Sequence, residues 1–189
     1  LLGSFYQIII ALSIAAFVPQ TIKIYRLFEQ DEVTAINYSF KLALYSAPIF
    51  MIISLVLIYI SPYFLETLFN KYKVDRALYA PMMLSIFNLG IMTSMGSLLI
   101  CFDKAKLYLI SVLSVCGMYL VYIAILSPTL GYQSAAIAQL LSLSTYSIAI
   151  LVLVYFVIRE KIANKRMIIL AGLPSTLAPL VYLLIGDLV

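Results

Sequence analysis

The stretch 107–158 runs for 52 residues without one charged side chain. In water it would have no polar face to turn outward. At 1.5 Å rise per residue it is also too long for one pass through a ~30 Å hydrocarbon layer. Inside it lies Ser127-Pro128-Thr129-Leu130-Gly131, where Pro and Gly mark a turn. The stretch therefore divides into candidate spans near 107–126 and 133–158. Four further apolar runs, near 1–22, 36–60, 77–102 and 167–186, have the ~20-residue length of a membrane span. Composition points the same way: 65% of residues are hydrophobic and 11% are charged, against roughly 25% charged in soluble domains. The runs are continuous and lack the alternating ~10-residue pattern of an outer-membrane barrel. In lipid, continuous runs mean helices, which satisfy their own backbone hydrogen bonds. The expected fold is all-α: a polytopic transmembrane helix bundle of about six spans, in the cell (cytoplasmic) membrane, with the lipid bilayer as its surroundings.

With short loops, neighbouring spans run antiparallel, and the charges then orient the chain. The first, third and fifth loops share one side and carry Lys23, Arg26, Lys41, Lys104, Lys106, Arg159, Lys161, Lys165 and Arg166, nine basic residues in all. The second and fourth loops carry three, Lys71, Lys73 and Arg76. The positive-inside rule places the nine-residue side in the cytoplasm, so the first span enters from outside. The net charge of +4 thus reads as a topology signal, and nothing suggests nucleic-acid recognition. The opening Leu1-Leu2 has no basic n-region or cleavage site behind it. This argues against a signal peptide and for a piece of a longer chain.

Two segments are not expected to span. Around 62–73, Phe64, Leu65, Leu68, Phe69 and Tyr72 share one helical face, while Glu66, Asn70, Lys71 and Lys73 lie elsewhere. With Ser61 as N-cap and Pro62 at the first helical position, this reads as an amphipathic helix on the outer interface. The segment 21–33 reads as a cytoplasmic extension of the first span ending in an acidic turn. Small-residue stripes are expected to let helices approach closely: Gly90, Thr93, Ser94, Gly96 and Ser97 in the third span, and Ser111, Ser114 and Gly117 in the fourth. Cys101 and Cys116 lie in apolar runs and are expected as free thiols.

The chain contains no histidine. No Ser/His/Asp set, Gly-rich phosphate loop or metal-ligand spacing is present, so no catalytic residue, metal or cofactor is expected and the chain does not read as an enzyme. Polar groups at membrane depth are the functional pointers in such a protein. Lys41 sits near the start of the second span and either snorkels to the surface or meets an anionic ligand. Asn88 near the middle of the third span and Gln139 in the fifth either line a polar cavity or make interhelical hydrogen bonds. Lys41, Asn88 and Gln139 are the candidate substrate-binding residues.

Four motifs in sequence order carry a resemblance. They are Phe17-Val18-Pro19-Gln20 at the end of the first span; the run from Ser61-Pro62-Tyr63-Phe64 to Asn70-Lys71-Tyr72; the loop Phe102-Asp103-Lys104-Ala105-Lys106; and Leu126-Ser127-Pro128-Thr129-Leu130-Gly131 followed by Ser134-Ala135-Ala136. In this order the chain resembles the C-terminal part of the polysaccharide-biosynthesis transporters, the lipid-linked oligosaccharide flippases of the multidrug/oligosaccharidyl-lipid/polysaccharide exporter superfamily. Asn70 and Ser134 stand where the family usually has Gly. The resemblance implies one bundle of a two-bundle transporter that works by alternating access. Its partners would be a lipid-linked oligosaccharide and the missing N-terminal half of the same chain. Other functions compatible with the sequence are an ion-coupled drug or metabolite exporter of the same superfamily, an integral membrane glycosyl- or phospho-transferase, and a non-catalytic scaffold subunit.

Overall fold

The structure, a computed structural model, describes residues 2–68, 74–161 and 166–186. Among these the fold is all-α, with no strand. Helix α1 spans Leu2–Gln30 and α2 spans Glu32–Leu68, separated by Asp31 alone. The Asp31 carboxylate accepts bonds from the Val33 and Thr34 amides, each at 3.1 Å, and from the Thr34 hydroxyl. This is an N-cap, satisfying amides that the first turn of α2 leaves free. The same bonds, the Thr34 hydroxyl foremost, hold the Asp31 carboxyl below the ordinary aspartate range. Through this one-residue link α2 begins at Glu32, ahead of the expected span start near 36.

Helix α2 is 37 residues long, about 55 Å at 1.5 Å per residue. It continues through Ser61 and Pro62 without a break, which corrects the expected helix start there. Ser61 caps nothing: its hydroxyl bonds the Leu57 carbonyl one turn back and meets the Tyr79 hydroxyl. The outer-interface reading concerned 62–73, of which 69–73 lie outside the described residues, as do Lys165 and Asp187.

The third apolar run is not uniformly α-helical. Helix α3, Arg76–Ser85, passes through a 3₁₀ turn at Ile86–Asn88 into α4, Leu89–Cys101. The Ser54 hydroxyl of α2 donates to the Met83 carbonyl at 2.9 Å, just ahead of this change of winding. Helix α4 ends with Asp103 in the left-handed region (φ 57°). The Asp103 amide bonds Ile100 O at 3.0 Å and the Lys104 amide bonds Leu99 O at 2.8 Å, a Schellman pattern that usually takes Gly. Helix α5 covers Ala105–Leu130, a 3₁₀ turn covers Gly131–Gln133, α6 covers Ser134–Ile158 and α7 covers Arg166–Gly186. The reversal thus falls after Pro128, which lies in the last turn of α5, and centres on Gly131 at φ 54°.

Helices α5 and α6 pack along one another, and α4 sits between α1, α2 and α6. Two apolar clusters fill the interior. One gathers Phe17, Phe50, Tyr79, Met83 and Phe87, with Phe17 stacked on Phe50 at 5.5 Å between ring centroids. The other gathers Ile24, Phe40, Met95, Leu98, Tyr146 and Val154. The helix ends meet in two groups. At one end Phe28 contacts Phe102 edge-on at 4.9 Å, and Lys161 pairs with Glu32. At the other, Tyr132 of the α5–α6 turn donates to Asp75, which itself accepts from the Ala77 amide at the start of α3. The bond to Asp75 raises the Tyr132 hydroxyl above the ordinary tyrosine range. Among the described residues, Asp31, Phe102 and Lys161 therefore lie at one end, and Asp75 and Tyr132 at the other.

Among the described residues, four stretches are long and apolar enough to cross a membrane: Tyr6–Gln30, Glu32–Leu68, Arg76–Cys101 and Ala105–Ile158, the last folded back on itself as α5 and α6. Ile168–Leu184 is a shorter apolar helix. The distribution of polarity is inverted relative to a water-soluble protein. Among the described residues thirteen serines and Asn88 are buried, while Leu12, Leu113, Leu120, Ile125, Ile169 and Leu184 are each more than 60% exposed. These helices are compatible with a membrane protein. One packing expectation fails. The stripe on α5 does not mediate close approach: Ser111 is its only buried member, Ser114 is exposed, and a Cβ on Gly117 would meet nothing within 4 Å.

Candidate functional site

Two sets of interior polar groups join the region around Ser85–Asn88 to α6. In the first, the Gln139 side-chain amide of α6 donates to the Tyr6 hydroxyl of α1. Tyr6 in turn bonds the Ser85 hydroxyl at 2.6 Å, and Ser85 donates to the Met82 carbonyl at 2.6 Å. Since Ser85 spends its proton on Met82, Gln139 donates to Tyr6, Tyr6 to Ser85, and Ser85 to the Met82 carbonyl, which ends the chain as acceptor. In the second set Asn88, fully buried, donates from Nδ2 to Ser144 Oγ at 3.2 Å. Its Oδ1, with Ser147 Oγ and Ser175 Oγ, has no partner among the described residues. Away from water each unmet group costs free energy, so these bonds fix how α1, α3 and α6 fit together.

A groove of about 480 Å³ opens beside the first set. Tyr6 and Ile10 line it from α1, Leu89 from α4, and Val115, Cys116, Tyr119 and Leu120 from α5. Gln139, Ser142 and Leu143 of α6 complete it. Its surface is almost wholly apolar, although Tyr6, Tyr119, Gln139 and Ser142 are among the lining residues. Cys116 is an exposed free thiol within it.

Lys41 lies elsewhere. It borders a second pocket, of about 420 Å³, near the α1–α2 link, together with Lys23 and Leu27 of α1 and Thr34, Asn37 and Tyr38 of α2. The Lys23 ammonium stands 4.5 Å above the centre of the Tyr38 ring, a cation–π arrangement. The Tyr38 hydroxyl donates to the Gln20 side chain, which holds the ring in place.

The three sequence candidates are thus in three settings. Gln139 both lines a groove and bonds across helices, Asn88 bonds across helices in a closed interior, and Lys41 sits in a separate basic pocket. The structure brings Asn88 and Gln139 into the two polar sets that reach α6 and leaves Lys41 apart from them. Sequence reasoning did not single out Tyr6, Ser85, Lys23 or Tyr38. For Tyr6 and Ser85, 79 positions apart, no local pattern carries the pairing. For the basic pocket a signal existed: Thr34, Tyr38 and Lys41 recur at spacings of four and three, one face of a helix. No family model, curated protein or solved structure matches this chain.

Proposed function

We propose that the chain is a six-pass membrane-embedded bundle belonging to a transporter that moves lipid-linked oligosaccharide across the cytoplasmic membrane by alternating access. The observation that carries this reading is the groove between α1 and α5, almost wholly apolar with Tyr6 and Gln139 among its lining residues. Such a groove suits the lipid tail of a lipid-linked sugar, with Gln139 and Tyr6 bonded to each other at its edge. Its sugar–pyrophosphate head cannot cross hydrocarbon unaided, whereas its polyprenyl tail stays in the lipid. Helix α5 packs along α6 but buries only Ser111, so it lies at the periphery of the core. The order of sequence motifs supports the same class, and a second bundle would come from chain beyond this segment. The largely apolar lining also favours one further reading, an exporter of amphipathic small molecules.

The two readings separate in proteoliposomes holding the transporter as it exists in the cell. A fluorescent polyprenyl-pyrophosphate sugar should move between leaflets. Gln139→Ala should slow it roughly threefold to tenfold, the worth of one or two interhelical hydrogen bonds. Transport of amphipathic cations without movement of the labelled glycolipid would replace the flippase reading by the exporter one. Movement of neither would remove both.

A further inference from the structure

The pocket at the α1–α2 link has a composition that packing does not require. Two ammonium groups, Lys23 and Lys41, border it, and among the described residues no carboxylate lines it. Of the acids near the link, Asp31 caps α2, Glu32 pairs with Lys161, and Glu29 does not line the pocket. Of the remaining polar lining, Asn37 offers amide donors suited to anionic oxygens, while the Thr34 hydroxyl is committed to Asp31. Tyr38, pinned through Gln20, holds the Lys23 ammonium over its ring instead of leaving it free in solvent.

The surface next to this pocket is apolar. Along α2, Tyr45, Ile49 and Ile52 follow Lys41 at helical spacing and are 64%, 56% and 63% exposed. Along α1, Pro19, Ala16 and Leu12 follow Lys23 in the opposite chain direction and are also exposed. A paired cationic cup thus continues into two apolar strips that lead away from the link. We propose that this pocket binds the phosphate of an anionic glycerophospholipid of the inner leaflet, with its acyl chains along α2 and α1. The charge of the cup matches the phosphate, and the strips match the chains. Basic pockets of this kind between helices hold lipid headgroups at membrane surfaces. Lys23 and Lys41 are the binding residues, and Tyr38 is a positioning residue that aims Lys23.

The proposal rests on the membrane-embedded part of the function proposed above and not on transport. Purified protein in neutral detergent would be titrated with phosphatidylglycerol, with phosphatidylcholine of the same chains, and with inorganic phosphate. Retained lipid would be read by native mass spectrometry and thermal stability by unfolding temperature. Phosphatidylglycerol should be preferred over phosphatidylcholine, and inorganic phosphate alone should not raise the unfolding temperature. The double variant Lys23→Gln, Lys41→Gln should weaken phosphatidylglycerol binding by about tenfold or more, whereas Lys23→Arg, Lys41→Arg should retain it. Tyr38→Leu should weaken it less, with the loss confined to the anionic lipid. A control pair at the same end, Lys104→Gln with Lys106→Gln, should leave the preference unchanged.

Equal retention of the two lipids, or a preference that survives in the glutamine pair, overturns the proposal. So does a preference lost equally in the control pair, which would mean diffuse surface charge. Stabilisation by inorganic phosphate alone would replace the lipid with a soluble anion. A protein that moves no glycolipid yet shows the lysine-dependent preference leaves this pocket standing and removes the transport reading. Flipping without that preference does the reverse.

Discussion

Helices α4 and α5 are adjacent in the chain and similar in apolar character, yet they live in opposite surroundings. In α4, nine of thirteen residues are buried, among them Gly90, Ser94, Gly96 and Ser97. In α5, Ser111 alone of 26 residues is buried, and Leu109, Leu113, Leu120 and Ile125 stand open. Burial within the bundle explains the apolarity of α4 and cannot explain that of α5. Small and hydroxyl-bearing side chains are buried with the apolar core where helices touch, and many large aliphatic ones are left on the outside. That is the arrangement expected when the outer solvent is hydrocarbon, because lipid gives no hydrophobic reward for hiding leucine and leaves close packing to join helices. In water the pattern would be reversed, and α5 would be an exposed patch far larger than a soluble monomer tolerates.

The sharpest way to break this comparison is to place one charge in each helix. Met95 of α4 is fully buried and Leu113 of α5 is 61% exposed. Met95→Lys should abolish folding, since an unpaired charge inside the bundle costs several kcal/mol. Leu113→Lys should still impair insertion, by about 2.5–3.5 kcal/mol, as expected for lysine facing the bilayer interior. Fractions of inserted, monodisperse protein would measure both. A neutral Leu113→Lys would mean that α5 faces water.

A smaller effect, opposite in sign, separates the two helices by their glycines. A Cβ on Gly90 would collide with the Ser46 hydroxyl and come within 2.8 Å of its Cβ and 3.4 Å of Phe17, whereas one on Gly117 would touch nothing within 4 Å. Gly90→Ala should destabilise the protein by about 1–3 kcal/mol through overpacking. Gly117→Ala should be neutral or stabilise by about 0.5–1 kcal/mol through lower backbone entropy. Thermal unfolding in lipid nanodiscs reads both. Equal destabilisation at the two sites would show that the Gly117 face of α5 has a close neighbour.

The same contrast marks what the sequence could and could not reveal. Charge-free runs located the helices because hydrocarbon length sets their size, whatever their neighbours. The runs gave no guidance on which small residues touch. Gly90 and Gly117 sit in similar company, and only the position of Ser46 distinguishes them. Proline misled at two ends. Both Pro62 and Pro128 lie inside helices that continue past them, because ending a helix in an apolar setting frees more carbonyls than one missing amide does. The 3₁₀ turn at Ile86–Asn88 carries neither Gly nor Pro and had no local signature. In the candidate site, Gln139 and Asn88 stood out as polar residues in apolar runs. Their partners Tyr6, Ser85 and Ser144 come from distant positions that only the packing joins.

The central claim is that a bilayer separates the two ends of this bundle, with the basic end in the cytoplasm. Single cysteines in a Cys101→Ser, Cys116→Ser background, probed with a membrane-impermeant thiol reagent on intact cells, test it most directly. Thr129→Cys, exposed near the α5–α6 turn, should react at once, and Lys104→Cys, exposed between α4 and α5, should react only after the cells are opened. Reaction of both on intact cells, or of Lys104→Cys alone, would contradict the account.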